Sequence, residues 1–153
     1  MFPATTQRVR QNTSEEINLR IRQRTERRIM ECIQAGPEAI DRRLDELDRE
    51  WDIERCLETM APTFSLIGLA LGITKNRKWL IVPGIVQTFF LQHALQGWCP
   101  PVPALRRLGF RTMDEINQER YALKALRGDF KKLSKKKDQG DGRIVDALMA
   151  VRR

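Results

Sequence analysis

The chain has 153 residues, a formal charge of +8 and 31% charged side chains, length enough for one ordinary domain. Its three cysteines (Cys32, Cys56 and Cys99) are odd in number, far apart and without a CxxC pair. Nothing here supports a disulfide framework, and Cys32 and Cys56 at least are expected to stay thiols on a reducing side. A single histidine, with no glycine-rich phosphate loop and no metal-ligand spacing, excludes the common catalytic constellations; no enzyme activity, cofactor or metal is expected.

Residues 1–12 show no hydrophobic period and are expected to be disordered. The N-terminus has no compact apolar run with a small-residue cleavage site, so no signal peptide is expected. Thr13 and Glu16 fit a capping box, which predicts a helix to about Ala35, with Ile17, Ile21, Ile29 and Ile33 on an i, i+4 ladder that only Thr25 interrupts. Gly36-Pro37 ends that helix and starts another. The second, from Pro37 to about Arg55, carries Ile40, Leu44, Leu47 and Trp51 at the 4-3-4 spacing of a coiled-coil seam. Under two heptads is too short to hold a coiled coil alone. The seam therefore predicts an antiparallel helical hairpin, with self-association beside a membrane as the sharper alternative. Asp45 with Arg49 and Asp52 with Arg55 read as ion pairs on the solvated side. No stop signal separates Arg55 from Leu57, so this helix is free to run on.

Next come two uncharged stretches, residues 59–73 and 79–105, separated by Lys75, Arg77 and Lys78. A bilayer core needs roughly 20 helical residues, with about 17–25 tolerated. Leu57–Ile73 and Trp79–Gln96 supply about 25 Å and 27 Å of helix at 1.5 Å per residue. Two membrane-crossing helices joined by a charged turn are expected, with a buried hairpin of a soluble protein as the alternative. Pro62 is placed to kink the first span, and Gln96-Gly97 followed by Pro100, Pro101 and Pro103 ends the second.

Within the spans, Gly68 and Gly72 form GxxxG, a pattern that lets helices approach closely in lipid, either inside the hairpin or between protomers. His93 is the single ionisable side chain in the second span, a functional hypothesis by default, yet near the span's end. Cys99 has Arg106 and Arg107 as its nearest cations and reads as structural more than as a nucleophile or acylation site.

After the spans, Thr112 and Glu115 start a helix over about Met113–Leu126, with Ile116, Ala122, Leu123 and Leu126 as its apolar face. A lysine run (Lys131, Lys132, Lys135, Lys136, Lys137) and the break at 139–142 lead to a marginal terminal helix over 143–153. Residues 1–58 hold 11 basic and 13 acidic side chains, whereas residues 106–153 hold 14 and 7, so the basic excess belongs to the C-terminal third. Lysine runs attract nucleic acid and anionic lipid alike, but a nucleic-acid reader would interleave aromatics and only Tyr121 and Phe130 lie here, so nucleic acid is not the expected partner. Arg106, Arg107, Arg111 and the lysine run are the expected contacts to anionic headgroups.

The stretch GWCPPVPALRRLGFRT (residues 97–112) resembles the end of the YgaP-like inner-membrane domain, which has two transmembrane helices and no established role. The matching residues are Gly97, Cys99, Pro100, Leu108, Gly109 and Thr112, and the resemblance extends over about residues 53–112. It implies a two-helix membrane module that can dimerise and that sometimes anchors a rhodanese domain. It carries no sulfur-transferase activity, because there is neither room for a rhodanese domain nor a catalytic cysteine loop.

The expected fold is all-α, with a transmembrane helical hairpin flanked by a soluble N-terminal helical hairpin and a basic C-terminal helical tail. In segments, this is a disordered 1–12, a cytoplasmic amphipathic hairpin 13–56 and the membrane hairpin 57–98. A juxtamembrane stretch 99–112 follows, with Gly97, Trp98, Cys99, Pro100 and Pro101 as its motif, and then the tail 113–153. The expected function is a small inner-membrane anchor or interaction module, homodimeric, with both termini cytoplasmic. The alternative is a soluble helical nucleic-acid-binding or regulatory protein whose apolar hairpin is buried. The polar segments are not expected to build a core of their own.

Overall fold

The computed structural model describes residues 3–131, 144 and 147–151, and these are helical and free of strands. The helices are α1 (Arg8–Gln11), α2 (Glu15–Ala35), α3 (Pro37–Arg49), α4 (Ile53–Thr74), α5 (Ile81–Gln96), α6 (Pro101–Leu108) and α7 (Met113–Arg127). A 3₁₀ turn, Arg77–Leu80, leads into α5. Two compact units divide the chain: residues 1–22 with 51–114, and residues 23–50 with 115–153. The division cuts across the segments expected from sequence, since each unit joins pieces distant in the chain.

The first unit is centred on Val9, Ile53, Leu57, Cys99 and Val102, with Phe90, Leu105 and Phe110 packed against them. Val9 is 1% exposed, so residues 8–11 are an ordered part of this core and not the disordered start expected. One apolar residue at the right position is enough to dock a single turn, which no periodicity window detects. The Thr13 hydroxyl donates to the Val9 carbonyl at 2.8 Å, closing α1, and α2 begins at Glu15 behind it.

The second unit contradicts the expectation that the polar segments have no core. Ile40, Leu44 and Leu47 of α3 bury against Ile116 and Leu123 of α7, with Ile29 and Cys32 at the edge. The two short seams find a third helix to cover them. Trp51, the fourth seam position, falls outside α3 and is 44% exposed, with the Arg55 guanidinium 4.6 Å over its ring.

The helix does not run on from Arg49 into the apolar span. Glu50 is extended, and Asp52 caps α4, its carboxylate accepting from the Arg55 amide at 2.7 Å. Asp52 thus serves a helix end and not the ion pair expected with Arg55. An Asp cap satisfies one of the orphan N–H groups at a helix start, a gain of about 1 kcal/mol. From there α4 runs 22 residues, through Pro62.

Candidate functional site

The site is built on α4 and α5, the apolar helices of the first unit, and on the motif that follows them. The two helices pack against each other. Gly68 and Gly72, one turn apart, both face the start of α5. A Cβ on Gly68 would stand 2.7 Å from Pro83 Cδ and 2.9 Å from Val82 Cβ, and one on Gly72 would overlap the Leu80 side chain. The glycines are therefore used inside the chain, where their lack of a side chain lets two backbones approach.

Further up the pair, Gln87 Nε2 donates to Ser65 Oγ at 2.9 Å. Ser65 is one of five hydroxyl residues between positions 59 and 98, with Thr59, Thr63, Thr74 and Thr88. Each donates to the carbonyl four residues before it, at 2.6–2.8 Å. These groups find partners on their own helices and ask nothing of their surroundings.

The surroundings are met instead by hydrocarbon. Leu66 is 65% exposed, Ile73 82%, Ile81 65% and Leu91 61%, and Phe64, Ile67, Ile85 and Leu95 are also exposed. Among the described residues, one helix is long and apolar enough to cross a membrane, the one ending at Thr74. The second stretch divides differently from the expected Trp79–Gln96: Trp79 and Leu80 lie in the 3₁₀ turn, leaving α5 with 16 residues. Trp79 and Leu80 are drawn into the tighter turn by Asn76, whose side chain accepts from the Lys78 amide at 2.9 Å.

At the foot of these helices the chain is polar and tightly held. Gly97 ends α5 in the left-handed conformation (φ 78°), its amide donating to the His93 carbonyl at 2.7 Å. A side chain there would strike the Arg8 backbone, 2.6 Å from its carbonyl oxygen. Asn12 Nδ2 donates to the carbonyls of Arg8 (2.8 Å) and Gln96 (2.7 Å), tying α1 to the end of α5. His93 is 3% exposed, and its ring nitrogens have no hydrogen-bond partner among the described residues. No group of three His, Cys, Asp or Glu able to hold a metal gathers among the described residues.

The motif beyond Gly97 folds into a helix that sequence reading missed. Pro100, Pro101 and Pro103, taken only as stops, also start α6. Pro101 occupies its first turn, where the missing N–H costs nothing, and Gly109 ends it at φ 94°. The proline-then-glycine asymmetry of PVPALRRLG was the available signal.

This helix corrects the expected lipid contacts. Arg106 is 1% exposed and donates inward, to Asn18 Oδ1 at 2.7 Å and to the Phe110 carbonyl at 3.1 Å. Arg111 is 3% exposed, and its carbonyl accepts from the Ile53 amide at 3.0 Å. Arg107 and Lys131 are exposed. Lys132, Lys135, Lys136 and Lys137 lie outside the described residues. Cys99 is 3% exposed, and burial pushes its thiol up, outweighing a hydrogen bond with the Val102 backbone. A neutral, buried thiol is a weak nucleophile.

Between the lower halves of α4 and α5 and the start of α6 lies an apolar cleft of about 180 Å³. Compared with known proteins, the chain matches no family model, no curated protein and no solved structure.

Proposed function

We propose that this chain is a small integral protein of the bacterial inner membrane, in which α4 from Leu57 onward and α5 with the turn before it form the membrane hairpin. It serves as an anchor or interaction module with no catalysis of its own. The observation that carries this reading is the outward apolar surface of the two helices, on which Leu66, Ile73, Ile81 and Leu91 are more than half exposed. In water such a contiguous patch is a liability, whereas in a bilayer it is the matching surface. The internally bonded hydroxyls support the same reading, since hydrocarbon offers them no partner. The soluble alternative requires these side chains inside a core, and the first unit packs its core with others.

The likeness of Gly97, Cys99 and Pro100 to the YgaP-like domain belongs to the same proposal, as does homodimerisation. A dimer would use the outer faces of α4 and α5, because Gly68 and Gly72 already meet the start of α5. Fractionation of expressing cells tests the location. The chain is expected to stay with the membrane through alkaline carbonate and high salt and to leave it only in detergent. Release by carbonate alone would sink the integral-membrane reading.

A further inference from the structure

We propose that the cleft at the foot of α4 and α5 holds an acyl chain of an anionic phospholipid, with Arg107 at its headgroup; this deepens the membrane reading and rests on it. The walls are Leu57, Phe64, Phe89, Phe90, Cys99 and Pro101, without a charged group among them. A hollow of about 150 Å³ lined by Leu, Ile and Phe stays dry and accepts a benzene ring. At about 180 Å³, this cleft takes a comparable length of hydrocarbon chain. Water gains nothing there, because the Cys99 thiol is neutral and the rings carry no donor. Phe64 and Phe89 are partly exposed, so the cleft opens sideways on the same surface that faces lipid.

Helix α6 extends this apolar path. Pro101, Ala104 and Leu108 recur on one face at i, i+3 and i+7, and Leu108 is 73% exposed. Arg107, exposed and three residues after Ala104, borders that face, while Arg106 on the same helix is bound inward to Asn18. Arg107 thus lies on the helix that begins at the cleft wall, under two turns beyond Pro101, where a long side chain can keep its stem in hydrocarbon and its head in water. Such a cation selects an anionic headgroup over a zwitterionic one.

Trp98 supplies the readout, since its ring meets Phe89, a cleft wall, edge-on at a centroid distance of 6.5 Å. In a full-length chain carrying Trp51→Phe and Trp79→Phe, Trp98 is the single tryptophan. This chain is reconstituted in phosphatidylcholine vesicles with a minor fraction of acyl-brominated phosphatidylglycerol or, in parallel, acyl-brominated phosphatidylcholine. The glycerol lipid is expected to quench Trp98 as if enriched about fivefold around it, the gain one surface cation gives. Arg107→Gln should abolish the excess and Arg107→Lys should keep it, and neither exposed substitution disturbs the core. Ala61→Leu, which narrows the cleft, should lower quenching by both lipids. Equal quenching by the two lipids in the unsubstituted chain, or an excess that survives Arg107→Gln, would overturn the lipid site alone. A chain that fails to float with the vesicles at all would overturn the membrane reading as well.

Discussion

Glu54 stands in the first turn of α4 with the Arg8 guanidinium 3.8 Å from its carboxylate. Burial pushes its carboxyl above the ordinary value of 4.5, and Asp52 and Glu58 push the same way against the opposing pulls of its own backbone amide and Arg8. An acid with a raised folded pKa binds its proton more tightly folded than unfolded. Its contribution to stability is therefore complete below the unfolded pKa and is lost as pH rises through the folded one. The stability difference between the wild-type chain and Glu54→Gln in detergent should thus shift against the wild type as pH rises from 4.5 through the mildly acidic range. Parallel profiles for the two proteins would count against this account.

The same scale holds what the sequence concealed. Arg106, read as a headgroup contact, and Glu119, which no sequence signal singled out, are each buried against a partner far along the chain: Asn18 at a separation of 88 residues for Arg106, Arg43 at 76 for Glu119. Glu119 receives Arg43 through two hydrogen bonds, at 2.7 and 3.2 Å, and is fully enclosed. No local pattern marks a charge whose desolvation is offset by a residue that distant.

Among the helices, the glycines of α4 and α5 allow a sharper test than their sequence spacing did. Gly→Ala in a helix gains about 1 kcal/mol of propensity where space is free. Gly84 has open space around a built Cβ, Gly72 meets the movable Leu80 side chain, and Gly68 meets the Pro83 ring and the Val82 Cβ, which cannot turn away. Gly84→Ala should therefore stabilise the detergent-solubilised protein by up to about 1 kcal/mol. Gly68→Ala should destabilise it, overpacking costing about 1–3 kcal/mol, with Gly72→Ala between the two. Thermal unfolding of the three variants gives the order, and a destabilising Gly84→Ala or a stabilising Gly68→Ala would reverse the packing assignment. The helices themselves were largely legible, because apolar period and cap residues are local: α7 starts at Met113 and α5 stops before Gly97, where those signals lie. The break at residues 50–52 was not, since Asp52 looks equally like an ion-pair partner and a cap until the backbone turns at Glu50. Nor was α1, whose single turn depends on Val9 meeting Ile53 and Cys99.

For the molecule as a whole, the distribution of charge bears on orientation in the membrane. Positive residues near the spans bias which side stays in the cytoplasm, and acidic ones count little. Arg42, Arg43, Arg49 and Arg55 precede the first span and Arg106, Arg107 and Arg111 follow the second, against Lys75, Arg77 and Lys78 in the turn. The burial of Arg106 and Arg111 leaves this bias intact, because orientation is set as the chain inserts, before those side chains find partners. On the proposed membrane reading, attraction to anionic lipid would fall to the exposed Arg107 in place of Arg106 and Arg111. Both termini should face the cytoplasm and the turn the outside, although three cations in a short turn oppose its translocation. Cysteines introduced at Asn76 and at Lys131, both exposed, report the two sides. Cys56 and Cys99 are buried, so a background of Cys32→Ser keeps the blank low. An impermeant thiol reagent added to intact cells should label position 76 and leave 131 untouched until the cells are opened. Labelling at 131 and not at 76 would show the opposite orientation.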